Sequence, residues 1–263
     1  MKSGNIGSAA RKRSGERIPR PAALGFALSV AALGAAMGAG AGTRLGWWDF
    51  HSGFRFLSWG VYLGFAGMVL SLGGAILARP GSGRRGFLPA VAGILLGALA
   101  FGVPANGYRI AKRVPMIHDI TTDTENPPVF VSILPLREGA PNSPDYGGPE
   151  IAAKQHAGYP DIRPIESAAP PSVAYEYALA AARRMGWRIV DGNLREGRIE
   201  ATATTRWFGF KDDVVIRIAP AADNGSRLDI RSVSRVGLSD VGANACRIRA
   251  FRKMFTDSSK KAA

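Results

Sequence analysis

KDDVVIRIAP (211–220) and, after a short turn, RLDIRSVSRVGLSDVGANACRIR (227–249) decide the reading of this chain. In the first, Val214, Ile216 and Ile218 recur at every second position and fall on one face, the period of a strand. In the second, Leu228 and Ile230 do the same before the pattern breaks at Gly237. Asn224–Gly225 between them is a hairpin signal. Beyond Gly237 the spacing changes to that of a helix, from Asp240 to about Phe255. It buries Val241, Ala245, Ile248, Phe251 and Phe255, with Ser239 as the expected N-cap.

Upstream, Pro170 and Pro171 precede a helix capped by Ser172, with Ala174, Ala178, Ala181 and Met185 on one face and Gly186 at its end. WRIVD (187–191) reads as a strand, closed by a turn at Gly192–Asn193. RIEATATTRWF (198–208) alternates, with Ile199, Ala201, Ala203, Thr205 and Trp207 on the inner side. The order helix, four strands in a meander, helix predicts an α+β two-layer domain over 172–258, a four-stranded antiparallel sheet carrying two helices on one face. The other face would hold Arg198, Glu200, Arg206, Arg217, Asp229 and Arg231, expected as cross-strand ion pairs on a solvated surface.

The first hundred residues have another character. Three windows of 23 residues without a charge lie between Arg20 and Arg44, Arg55 and Arg79, and Arg85 and Arg109. About 20 apolar residues of helix cross a bilayer core. The expectation is three transmembrane helices within 21–105, near 22–42, 57–78 and 87–105. A cleaved leader is the competing reading of the first window, but its apolar run is longer than a leader needs. Trp47, Trp48, Phe50, Phe54, Phe56 and Trp59 are placed in and beside the first loop as interfacial anchors. Gly34, Gly38, Gly42, Gly60, Gly64, Gly93 and Gly97 form small-xxx-small pairs suited to close helix packing or to a homo-oligomer.

The net charge of +14 first suggests nucleic acid, but it includes +5 over the basic tail 1–20, where membrane topology accounts for it. Nucleic acid is therefore not expected as a partner. The tail and the loop Arg79–Gly86 carry nine basic residues, against five in the first loop and just after the third span. That places the N-terminus in the cytoplasm and the domain outside it, in a multi-pass protein of the cytoplasmic membrane. The single cysteine, Cys246, excludes an intramolecular disulfide and a cysteine metal cluster.

Residues 106–171 hold 11 of the 17 prolines and read as extended chain that partly belongs to the domain, with VFVSIL (129–134) as one short strand. IHDITTD places His118, Asp119 and Asp123 together, a candidate polar cluster. The ordinary reading is a set of turn caps. A second candidate is an anion cradle of Arg231, Arg235, Ser239 and Asp240, where a strand end meets a helix N-terminus. A phosphate, a carboxylate or an anionic lipid headgroup would suit it. An Asp240–Arg235 ion pair is the structural alternative.

IHDITTDTENPPVF, YPDI (159–162), RIEATATTRWFGFKDDVVIR and RSVSRVGLSDVGANACRIR resemble a bacterial family, domain of unknown function 1499, over about 115–255. The resemblance implies a domain carried behind apolar spans. It implies no activity and supplies no functional residues. GLSDVG lacks the second glycine of a nucleophile elbow, because position 241 is Val. Asp212 and Asp213, adjacent in a strand, point to opposite faces. No catalytic residue, metal or cofactor is expected. A binding or structural module of the cell envelope is the first reading. A membrane-tethered hydrolase using His118, Asp119 and the Arg231/Arg235/Asp240 group is the alternative.

Overall fold

The computed structural model describes residues 17–262, with side chains to Ser258, so most of the basic tail expected over 1–20 lies outside the described residues. Two units divide the chain: residues up to Arg109 together with Trp207–Gly209, and Ile110–Arg206 with the remainder from Phe210.

The first unit is built from three long apolar helices, each long enough to cross a membrane: α1 (Arg20–Arg44), α2 (Phe50–Leu77) and α3 (Phe87–Ala111). Asp49 caps α2, accepting hydrogen bonds from the backbone N–H groups of His51 at 2.8 Å and Ser52 at 3.1 Å. The helix therefore starts seven residues before the expected position, and Phe50, Phe54, Phe56 and Trp59 belong to it. Small residues allow the helices to touch. A Cβ added at Gly64 would lie 3.1 Å from the Gly97 carbonyl oxygen, and one at Gly93 would lie 2.2 Å from Ser71 Oγ. Gly34 and Gly38 face open space.

The second unit is organised by an antiparallel sheet. Its strands are β1 (Asp119–Thr121), β2 (Ile165–Ser167), β3 (Arg188–Asn193), β4 (Arg198–Thr204), β5 (Lys211–Pro220) and β6 (Ser226–Ser234). The sheet runs β1-β6-β5-β4-β3, and β2 pairs with the other half of β6. The expected four-strand meander is β3–β6. The correction is two short strands from the Pro-rich stretch, which cover the free edge of β6. An open edge strand would expose a row of unpaired backbone groups. Gln155 finishes the job at β1: its amide donates to the Thr121 carbonyl at 2.6 Å and accepts from the Thr121 N–H at 2.9 Å.

Three helices accompany the sheet, where two were expected: α4 (Gly148–Gly158), α5 (Pro171–Arg184) and α6 (Ala243–Ala262). One sheet face, with Ile199, Ala201, Val214, Ile216, Leu228 and Ile230, packs on Ala174, Ala178, Ile248, Phe251 and Phe255. This is the predicted core.

Local details differ from expectation for identifiable reasons. Ser172 lies inside α5 behind the Pro170 cap and makes no capping bond. Gly192 and Asn193 are the end of β3, and the β5–β6 turn centres on Asp223 and Asn224, both at positive φ. Helix α6 starts at Ala243, and Val241 is exposed. Its cap is Asp240, which accepts from the N–H groups of Gly242 at 2.8 Å and Asn244 at 2.7 Å, while Ser239 Oγ accepts only from Val241.

Candidate functional site

Strand alternation sends Asp119, Arg198, Glu200, Thr202, Asp213, Arg217, Asp229 and Arg231 to the sheet face away from α5 and α6. The expectation of a solvated surface there is wrong. Glu200 and Asp213 are fully buried, and Asp229 and Arg231 are 1% exposed. Segment 122–147 lies across this face as a roof. It contains no strand, so VFVSIL is not one.

The roof needs partners for backbone groups that no ladder supplies. Glu200 is the main one. Its Oε1 accepts from the N–H groups of Val131 at 2.9 Å and Ser132 at 3.2 Å, and its Oε2 from Ile133 at 2.8 Å. Arg198 donates to the same carboxylate and balances its charge. Phe130 and Ile133 then pack on Val215 and Val233 in a small second core.

The remaining charges pair across strands and roof. Arg231 grips Asp119 with two hydrogen bonds, at 3.0 and 2.6 Å, and donates to the carbonyls of Pro128 at 3.2 Å and Pro144 at 2.8 Å. Asp213 receives Arg137 at 2.7 Å and Arg235 at 2.8 and 2.9 Å, with Thr202 Oγ1 donating at 2.9 Å. Asp229 and Asp123 share Arg217 and Arg227. Arg217 and Asp229, two of the six residues expected in cross-strand ion pairs, face each other across β5 and β6 and meet at 2.8 Å. Asp212 leaves the opposite face, as alternation requires, and meets Arg247 beside α6.

The candidates named from sequence are thus dispersed. Asp119 faces Arg231. Asp123 caps the turn at Glu125 and Asn126 and meets two arginines. His118 contributes its carbonyl, which accepts from the Ser234 N–H at 3.0 Å and Asn244 Nδ2 at 2.9 Å. Arg231 and Arg235 hold different carboxylates, and Asp240 is engaged with backbone N–H groups. Among the described residues no cluster of three or more His, Cys, Asp or Glu is placed to hold a metal. Sequence reasoning missed Arg137, Asn142 and Gln155 and misjudged Glu200. The available signal was VFVSIL, an apolar run in a Pro-rich stretch, which needs a surface to cover.

Burial, the largest influence, raises the Asp119 carboxyl above its ordinary value against the pull of Arg231. It likewise raises Asp240, against hydrogen bonds from Asn244 and Gly242. Tyr146, in the roof, has its ring 5.5 Å from the Arg231 guanidinium carbon. Burial, then the charge of Asp119, pushes its phenol up to about 12, and burial, then Asp240, does the same for Tyr159. An unfolded tyrosine ionises at pH ~10, as the free side chain does. Folded protein thus keeps protons that unfolded chain loses, and stability falls as pH rises from about 10 to about 12. A phenolate absorbance titration should show Tyr146 and Tyr159 ionising late. Tyr146→Phe should remove one late step at no cost in stability, because that hydroxyl has no hydrogen-bond partner. Ionisation of both phenols at the ordinary value would contradict the burial described.

A family model, Protein of unknown function (DUF1499), matches residues 119–255, from β1 to the fourth turn of α6. The chain belongs to this family. The match covers the sheet, its helices and the roof, so the ion-paired face is part of the DUF1499 region of this chain. No curated protein and no solved structure matches.

Proposed function

We propose that this DUF1499 protein is an envelope module that works by binding or scaffolding, with its α+β domain displayed on the outer side of the cytoplasmic membrane. The observation that carries the non-catalytic reading is the pairing on the roofed face. Asp119, Asp123, Glu200, Asp213 and Asp229 each engage an arginine. Groups committed in this way cannot serve as a nucleophile or a free general base without losing their partners. A hydrolase would need stoichiometric metal or a nucleophile from elsewhere, and metal analysis of the purified protein is the check on that alternative.

The outward placement is supported by the basic-residue asymmetry, nine in the tail and second loop against five in the first loop and just after the third span. Alkaline phosphatase fused after Ala263 should be active. An inactive fusion, with a fluorescent cytoplasmic reporter at the same position, would reverse the orientation. The open space at Gly34 and Gly38 leaves α1 room to pack on a second copy.

A further inference from the structure

We propose that the loop Gly237–Gly242, together with Met116, is a surface that seats on the interface of the bilayer crossed by the chain's own helices. This rests on the apolar helices alone, not on the orientation, so it stands or falls separately from the topology above.

Three large apolar side chains are exposed here: Leu238 at 77%, Met116 at 70% and Val241 at 42%. Their two segments are joined, because the Asp240 N–H donates to the Ile117 carbonyl at 3.1 Å. The loop is held rigidly. Asn142 Nδ2 donates to the Gly237 carbonyl at 2.9 Å, Asp240 caps Gly242 and Asn244, and Ser239 Oγ accepts from the Val241 N–H. Val241 has φ 54°, a left-handed backbone that β-branched residues avoid, between Gly237 and Gly242 at φ 93° and 82°. The fold thus fixes a strained backbone whose apolar side chains point to solvent, a pattern that marks functional surfaces.

Chain connectivity selects the occupant. Met116 is five residues past Ala111, the end of α3. Even fully extended, five residues reach only about 17 Å. The segment is tighter than that, since the Arg113 and Val114 N–H groups both bond back to the Ile110 carbonyl. Arg109, Lys112 and Arg113 precede Met116 in the chain, and their positive charge suits anionic headgroups. Apolar side chains beside a basic segment are the composition of an interfacial contact.

The test uses the full chain in vesicles of phosphatidylcholine and phosphatidylglycerol. In a Cys246→Ser background, Leu238→Cys carries an environment-sensitive fluorophore, and Met116→Cys repeats the measurement. Leu194→Cys is the control, exposed in the turn before β4 at the opposite end of the sheet. Labels at 238 and 116 should emit further to the blue and be quenched several-fold more strongly by shallow spin-labelled lipid than the label at 194. Equal emission and quenching at all three positions would overturn the proposal. Protection at 238 that grows with protein density, without lipid quenching, would assign the patch to a second copy and also overturn it.

Discussion

Glu200→Ala is expected to release the roof from the sheet. The substitution leaves the N–H groups of Val131, Ser132 and Ile133 without their acceptor. Hydrogen bonds to a charged acceptor contribute about 1.5–3 kcal/mol each. The Ile133 N–H is buried beside the packed Phe130 and Ile133 side chains, so its lost acceptor is the hardest of the three to replace. Even about 3 kcal/mol of lost protection corresponds to roughly hundredfold faster exchange, at 1.4 kcal/mol per tenfold. Hydrogen–deuterium exchange should show that acceleration at residues 131–133, while the central strands stay protected. Glu200→Gln keeps an acceptor oxygen and should give a smaller effect. Exchange unchanged in Glu200→Ala would mean that the roof is held by other contacts.

The second large effect belongs to Arg231 and Asp119. Both are almost fully buried, and their guanidinium–carboxylate contact has two hydrogen bonds. Removing one member strands the other's charge, which costs about 3–5 kcal/mol. Asp119→Leu leaves Arg231 with only the carbonyls of Pro128 and Pro144. Arg231→Met leaves a buried carboxyl that neutralises by taking up a proton. It also deprives those two carbonyls of their donor, so the roof loosens at both ends. Each single variant should lower the melting temperature of the full chain in detergent by about 10 °C, at roughly 2–4 °C per kcal/mol for a domain of this size. The double variant should recover part of the loss, because no unpaired charge remains.

The legible part of the fold is the part governed by period. Alternation placed β5, β6 and β4 as far as Thr204 and sorted their faces, down to the opposite directions of Asp212 and Asp213; Thr205, Arg206 and Trp207, read as its continuation, lie beyond the end of β4, and Trp207 is exposed. The three apolar windows appear as α1, α2 and α3. What sequence did not show was what lies over the second face. Charged residues at period two look the same whether water or a roof covers them, and only the partners decide. Those partners, Arg137, Asn142 and the N–H groups of 131–133, sit about 60 to 100 residues from the groups they meet, with no periodic pattern of their own. β1 and β2 were missed because three-residue strands are too short for alternation to register. The cap of α6 was misplaced because Ser239 and Asp240 are both good caps. Val241 adopts a left-handed backbone that propensity would not assign to it.

A double-mutant cycle on Asp119 and Arg231 tests the central claim, that the charged face is a buried, mutually paired layer of the fold. The four proteins are the parent, Asp119→Leu, Arg231→Met and the double variant, compared by denaturation in one detergent. The account predicts a coupling energy of about 2–3 kcal/mol, with the double variant more stable than the sum of the single losses allows. Additivity within about 0.5 kcal/mol would show that the two residues act independently and that the face is not held by their pairing.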